Sequence, residues 1–166
     1  PGGLALVNII SAMLFGAISG SAIASAAAIG SFMHPRMVKE GYDAGYSAAV
    51  NVTASTTGLI IPPSNVLIVY SLASGGVSIG ALFVAGYLPG ILLGMGFMVV
   101  SSILAYQQGI KGSDSVSFIE ILKRFYDAIL SLTMIFIIIG GIIFGVFTAT
   151  EAAAVAVVYA LIITML

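Results

Sequence analysis

The chain has no cysteine, a single histidine, and only eleven charged residues among its 166. Without cysteine there is no disulfide, no thiolate nucleophile and no cysteine-ligated metal, and the redox compartment is not encoded. Charged residues make up 7% of the sequence, where a soluble domain carries about 25%. The net charge is −1, so there is no basic field for nucleic acid and no nucleic-acid partner is expected. What fills the chain is apolar: 60% of residues are hydrophobic and the mean hydropathy is +1.21. These proportions describe an all-α integral membrane protein with membrane lipid around it. Twenty glycines favour close helix packing and non-helical turns.

The few charges are informative by position. Ten of them fall in two windows, Arg36, Lys39, Glu40 and Asp43, then Lys111, Asp114, Glu120, Lys123, Arg124 and Asp127. Glu151 stands apart, and residues 44–110 carry no charge. All the lysines and arginines lie in the two windows, so the positive-inside rule places both in the cytoplasm. The chain must leave and return between them. Crossings near 44–70 and 79–106 do that, with the Gly/Ser-rich Ser71–Ser78 as the outer turn.

Residues 4–33 would make one helix of about 45 Å, too long for one crossing and too short for two. A hairpin that enters, turns and leaves on the same side fits. Its arms are Leu4–Ile18 and Ala22–Met33, with Ser19-Gly20-Ser21 at the turn. One long tilted helix with a Ser/Gly packing face is the alternative. A second interruption reads Thr56-Thr57-Gly58-Leu59-Ile60-Ile61-Pro62-Pro63-Ser64-Asn65. Two adjacent prolines remove two donors and disfavour helix before them, freeing the carbonyls of roughly Gly58 to Ile60. A simple structural kink is the alternative.

Lipid tolerates such interruptions only where the broken backbone is buried in protein or lines a cavity, the usual setting of an ion or solute site. Freed carbonyls and the hydroxyls of Ser19, Ser21 and Ser25 are neutral oxygens, suited to a hard cation; small-residue packing is the rival reading. The helix start near Ala22 directs partial positive charge at an anion. A proton relay needs buried carboxylates. With none in 44–110 the coupling ion is Na⁺ rather than H⁺.

The remaining features read as structural. His34, beside Pro35 and Arg36, is expected in a surface loop; a Ser19–His34 hydrolase dyad would need the two within hydrogen-bond reach. Asn51-Val52-Thr53 matches a glycosylation sequon inside a presumed span and is discounted. Residues 111–130 form a cytoplasmic loop and an amphipathic helix, opened by the capping box Ser117–Glu120. Phe118, Ile121, Leu122, Phe125 and Ile129 share its apolar face. It lies at the interface or packs on another subunit. Leu130–Val146 then spans outward, and Thr148-Ala149-Thr150-Glu151 caps a new apolar helix. The start at Pro1-Gly2-Gly3 and the stop at Leu166 inside an apolar run read as a piece of a longer protein.

Several separate runs resemble, in family order, the large membrane (M) subunit of TRAP transporters, the tripartite ATP-independent periplasmic transporters. They are Phe15–Gly30, His34–Tyr42, Ile61–Asn65, Ser78–Gly90 and Gly145–Ala154. The similarity covers essentially the whole chain. Two departures stand outside the breaks: Ala149 and Ile135 occupy positions where the family often has proline. The resemblance implies the first half of an inverted-repeat elevator transporter, not an enzyme, in the bacterial inner membrane as a multi-pass protein. Residues 4–33 become the first re-entrant hairpin and 44–73 its partner broken helix, both in a transport-domain part over 1–110. The stretch 130–166 begins a second repeat whose hairpin and broken helix are absent. Implied partners are a small membrane subunit (Q type) and a periplasmic substrate-binding protein (P type). Implied cargo is an organic acid such as a C4-dicarboxylate or sialic acid, driven by Na⁺. The site residues expected for substrate are Ser19, Gly20, Ser21, Ser64 and Asn65; those for Na⁺ are Ser19, Ser21, Gly58, Pro62 and Pro63. Another ion-coupled dicarboxylate elevator carrier, an intramembrane serine hydrolase and a passive channel are the rival functions.

Overall fold

The computed structural model describes residues 2–110 and 118–165. Every regular element among them is a helix, and the chain divides into two compact units, Pro1–Ser113 and Asp114–Leu166. The first unit holds α1 (Gly3–Ser19), α2 (Ala22–Lys39), α3 (Ala44–Ser55), a 3₁₀ turn (Thr56–Leu59), α4 (Asn65–Ala73) and α5 (Ile79–Gln107). The second holds α6 (Phe118–Ile143) and α7 (Ala149–Met165).

α1 and α2 form a helical hairpin. α1 stops because Gly20 takes a left-handed φ of 62° while its N–H bonds back to Gly16 O at 2.8 Å, a conformation that glycine adopts without a side-chain penalty. α2 starts because Ser21 caps it, its Oγ accepting from Ala24 N–H at 3.3 Å. The second arm is longer than the sequence suggests. It runs through Pro35 to Lys39, not to Met33. Pro35 leaves Ser31 O without its helical donor, yet the helix continues, and its last turn carries Arg36 and Lys39, charges that suit a helix C-terminus. His34 is therefore a helix residue, half-buried, and not part of a surface loop. Asp43 then caps α3, its Oδ1 accepting from Tyr46 N–H at 2.8 Å.

The core of this unit joins Ala5, Ile9 and Ala12 of α1, Met37 of α2, Tyr46, Val50 and Ala54 of α3, and Ala105 of α5. The helical spacing of each set puts it on one face. In lipid such faces gain no hydrophobic term by meeting, so close packing and interhelical hydrogen bonds hold them together. Tyr46 supplies one such bond, its hydroxyl donating to Ser101 O at 2.8 Å and lying 2.6 Å from Ser101 Oγ. Ser25 supplies another, donating to Ala12 O at 3.1 Å.

α5 is the one helix among the described residues long and apolar enough to cross a membrane, and most of it is not buried within the unit. Gly86, Gly90 and Gly94 recur every four residues on its buried face. A Cβ at Gly86 would stand 2.6 Å from Ile60 O, and one at Gly90 would stand 2.5 Å from Ile61 Cγ1. This stripe lets α5 lie directly against the broken segment.

In the second unit α6 is continuous. The amphipathic stretch and the span expected from Leu130 are one helix; the cap expected at Ser117 lies outside the described residues. At the turn, Val146 and Phe147 N–H bond to Gly141 O at 2.8 and 3.0 Å, with Gly145 at φ 72°. Thr148 N–H bonds Glu151 Oε2 at 2.8 Å and Glu151 N–H bonds Thr148 Oγ1 at 3.3 Å, the reciprocal capping box that the spacing predicts. Tyr159 OH donates to Leu130 O at 2.7 Å and ties α7 to α6.

Candidate functional site

The tip of the hairpin sits on the broken segment, so the two interruptions, far apart in sequence, are one place in the fold. Contact is backbone to backbone. A Cβ at Gly16 would stand 2.5 Å from Gly58 Cα, and one at Gly58 would stand 2.9 Å from Gly16 Cα. At the turn itself, a Cβ on Gly20 would stand 2.8 Å from Pro63 O. Gly20 O accepts from Asn65 N–H at 3.3 Å. That bond joins the hairpin turn to the first residue of α4, so the N-termini of α2 and α4 meet at the junction. Helix N-termini carry partial positive charge and unpaired N–H groups, and both favour an anion.

The polar groups at the junction are differently committed. Ser19 Oγ is held only by two long contacts, 3.4 Å to Ser21 O and 3.4 Å from Ser21 N–H, which leaves it the least engaged hydroxyl. Ser21 Oγ accepts the cap bond and keeps a lone pair. Ser64 is fully buried, and its hydroxyl both donates to Leu59 O at 2.5 Å and accepts from Leu67 N–H at 3.3 Å. Ser64 thus staples the break shut and caps α4. Asn65 is exposed at the start of α4. Ser25, a further hydroxyl expected near the turn, is spent on Ala12 O.

The freed carbonyls include Gly58 and Ile60, as the sequence suggests, lose Leu59 and extend to Pro63. Thr57 O takes Ile60 and Ile61 N–H at 3.0 and 2.8 Å, and Leu59 O takes the Ser64 hydroxyl. No donor among the described residues reaches the carbonyls of Gly58, Ile60, Ile61, Pro62 or Pro63. Prolines at 62 and 63, joined by a cis peptide, offer no N–H, and α4 begins too late to return to these oxygens. Among the described residues there is no cluster of three His, Cys, Asp or Glu that could hold a metal. A cation here would rest on neutral oxygens, the Pro63 carbonyl at the turn with the hydroxyls of Ser19 and Ser21, while Ile60 O faces Gly86 of α5; such oxygens suit a hard ion.

His34 does not reach this junction. It is twelve residues along α2 from Ala22, about 18 Å, and its Nδ1 pairs with Ser47 Oγ at 3.1 Å. Two buried carboxamides were not legible as site-related residues. Asn8 (0% exposed) donates to Met37 Sδ at 3.6 Å and Asn51 (6% exposed) donates to Ala26 O at 2.9 Å. Both leave Oδ1 buried without a partner, at a cost of about 1–3 kcal/mol each. The glycine stripe on α5 was missed too, although the four-residue spacing of Gly86, Gly90 and Gly94 is a signal of helix contact.

Comparison with known proteins gives the family. The family described as "Tripartite ATP-independent periplasmic transporter, DctM component" matches residues 1–166. An uncharacterised protein, YgiK, of Salmonella typhimurium is 56% identical over 97% of this chain and 37% of its own length. The C4-dicarboxylate TRAP transporter large permease protein DctM of Pseudomonas aeruginosa is 45% identical over 95% of this chain and 37% of its own. The isethionate TRAP transporter permease protein DctMQ of Oleidesulfovibrio alaskensis is 43% identical over 98% of this chain and 26% of its own. The chain therefore spans about a third of the length of these relatives or less. With a family match along its whole length and the two paired interruptions in place, the chain belongs to the large permease (DctM) family of TRAP transporters, a family of transporters and not of enzymes.

Proposed function

We propose that the chain is the part of an inner-membrane, multi-pass permease that carries the first of two half-sites for Na⁺-coupled uptake of an organic acid. The observation that carries this reading is the junction of the hairpin tip with the break. It sets the unpaired carbonyl of Pro63 against the turn that carries the hydroxyls of Ser19 and Ser21, beside two helix N-termini, with no acid among them. Na⁺ rests on the oxygens, with Gly58 backing the tip. The substrate carboxylate is drawn to the N-termini at Gly20–Ser21 and Ser64–Asn65. Ser64 contributes through the cap it makes, because its hydroxyl is already engaged on both sides.

On this reading α1–α2 is a re-entrant hairpin opening to the cytoplasmic side, where Arg36 and Lys39 lie. The broken helix α3–α4 crosses the membrane beside it, and the matching half-site belongs to an inverted repeat beyond α7. Motion of the transport unit against a scaffold, as an elevator, gives alternating access. A P-type periplasmic binding protein delivers the acid and a Q-type small subunit completes the membrane complex. The relatives named for C4-dicarboxylate and isethionate support a small organic anion as the chemical class.

The test is uptake by the full-length permease with its small subunit in liposomes. Accumulation above the outside concentration, driven by an inward Na⁺ gradient and requiring the soluble binding protein, is the expected result. Equilibration without Na⁺ would make the protein a passive channel, and H⁺-driven accumulation would overturn the neutral-oxygen argument.

A further inference from the structure

Asn51 sits in the middle of α3 with its side chain buried against α2. Its Nδ2 donates to Ala26 O, a carbonyl in the interior of α2. Gly30 makes room for the amide. A Cβ there would overlap Asn51 Nδ2 and stand 3.1 Å from its Cγ. Among the described residues the Oδ1 has no partner. A buried acceptor left unpaired costs more than one interhelical hydrogen bond returns, so an apolar side chain of similar size would serve stability better. A polar group held on such terms acts on register, as single buried polar residues do in coiled coils.

Register at this seam bears on the junction. Ser21 lies five residues before Ala26, about 7.5 Å along the helix. Gly58, in the 3₁₀ turn that follows α3, lies seven residues beyond Asn51. A Cβ at Gly58 would stand 3.6 Å from Ser21 O, so the two segments meet just beyond the Asn51 contact. Sliding α2 by one residue moves the hairpin tip about 1.5 Å, roughly three times the ~0.5 Å tolerance of a binding constellation. We propose that Asn51 is a positioning residue. Seated by Gly30 and fastened to Ala26 O, it locks α2 to α3 and sets the distance between the Ser19–Ser21 turn and the Ile60–Pro63 carbonyls. The consequence for Na⁺ rests on the proposed function; the lock itself does not.

The test compares Asn51→Ala, Gly30→Ala and the double variant in the full-length permease. Asn51→Ala should raise the half-saturating Na⁺ concentration about fivefold, the worth of one interhelical hydrogen bond. Uptake at saturating Na⁺ should stay near wild type, a split that a general loss of folded protein does not produce. It should also speed hydrogen exchange of the backbone amides of residues 22–30. Gly30→Ala, forced against the amide, should be worse, and Gly30→Ala with Asn51→Ala should fall back to the level of Asn51→Ala alone. If Gly30→Ala yields no folded protein, recovery of folded protein in the double variant makes the same comparison. Unchanged exchange over 22–30 in Asn51→Ala, or a double variant as impaired as the sum of the singles, would overturn the lock. A wild-type protein with no Na⁺ dependence, but with faster exchange in Asn51→Ala, would sink the Na⁺ reading and leave the lock standing.

Discussion

Gly16→Ala is the sharpest test of the junction, because it adds one methyl group where two backbones touch. The new Cβ would stand 2.5 Å from Gly58 Cα and 3.0 Å from Gly58 N. Carbon atoms settle at about 3.5–4.0 Å, so α1 and the 3₁₀ turn must part by at least about 1 Å. Neither contact is the end of a flexible side chain; both are main chain, and no rotamer change relieves them. Overpacking of this kind costs about 1–3 kcal/mol. Were about 1.4 kcal/mol of it borne by the ion site, Na⁺ affinity would fall about tenfold. Gly58→Ala, with its Cβ 2.9 Å from Gly16 Cα, should act in the same direction and more weakly. Gly96→Ala is the control. Nothing lies within 4 Å of its Cβ on the exposed side of α5, and the change removes a helix-interior glycine, worth roughly 0.5–1 kcal/mol in its favour. The assay is a Na⁺ titration of uptake in proteoliposomes, with a thermal melt to confirm that each variant is folded. A folded Gly16→Ala protein whose half-saturating Na⁺ stays within about twofold of wild type would refute the claim that the Gly16–Gly58 contact sets the ion site.

Two further substitutions separate the roles of the serines. Ser19→Ala removes the least engaged hydroxyl at the turn and should weaken Na⁺ dependence while leaving turnover at high Na⁺; complete loss at every Na⁺ concentration would instead suit a nucleophile. Ser64→Ala removes a cap and a staple and should lower stability by about 0.5–2 kcal/mol in a thermal melt, with substrate affinity in the folded protein little changed.

The two interruptions were legible because they are written in residues that act locally. Gly20 supplies a positive φ, Ser21 and Ser64 supply caps, and Pro62-Pro63 removes donors, whatever the rest of the chain does. The helix start set by Thr148 with Glu151 was legible for the same reason. The extension of α2 through Pro35 was not. A proline inside a helix is tolerated when packing on both sides holds the flanking turns, and Met33 and Met37, buried on either side of it, do so here. The continuity of α6 was hidden differently. Its pattern changes from amphipathic to apolar near Leu130, but a change of surroundings needs no break in the backbone. Asn51 carried no local signal at all: as a string, Asn51-Val52-Thr53 suggests only a sequon. Its role depends on Gly30 and Ala26 of another helix, and only tertiary structure brings these together.

The scarcity of acids and the abundance of glycine follow from one requirement. A carboxylate attracts a cation over several ångströms, so a site built on one tolerates some displacement of its parts. A site built on peptide carbonyls and hydroxyls has only dipoles, whose attraction weakens much faster with distance, and it works only if its oxygens are held in place. Holding main-chain oxygens in place across two separate segments requires the segments to touch through their backbones. Gly16 against Gly58, Gly20 against Pro63 and Gly86 against Ile60 O are those touches. Any side chain at these positions would force the segments apart. A neutral site also spares the membrane interior a buried charge in the half of the cycle when the ion has left. On the proposed Na⁺ reading, low charge and high glycine content, which in the sequence mark a membrane protein in general, bear here on how a neutral ion site is assembled and emptied.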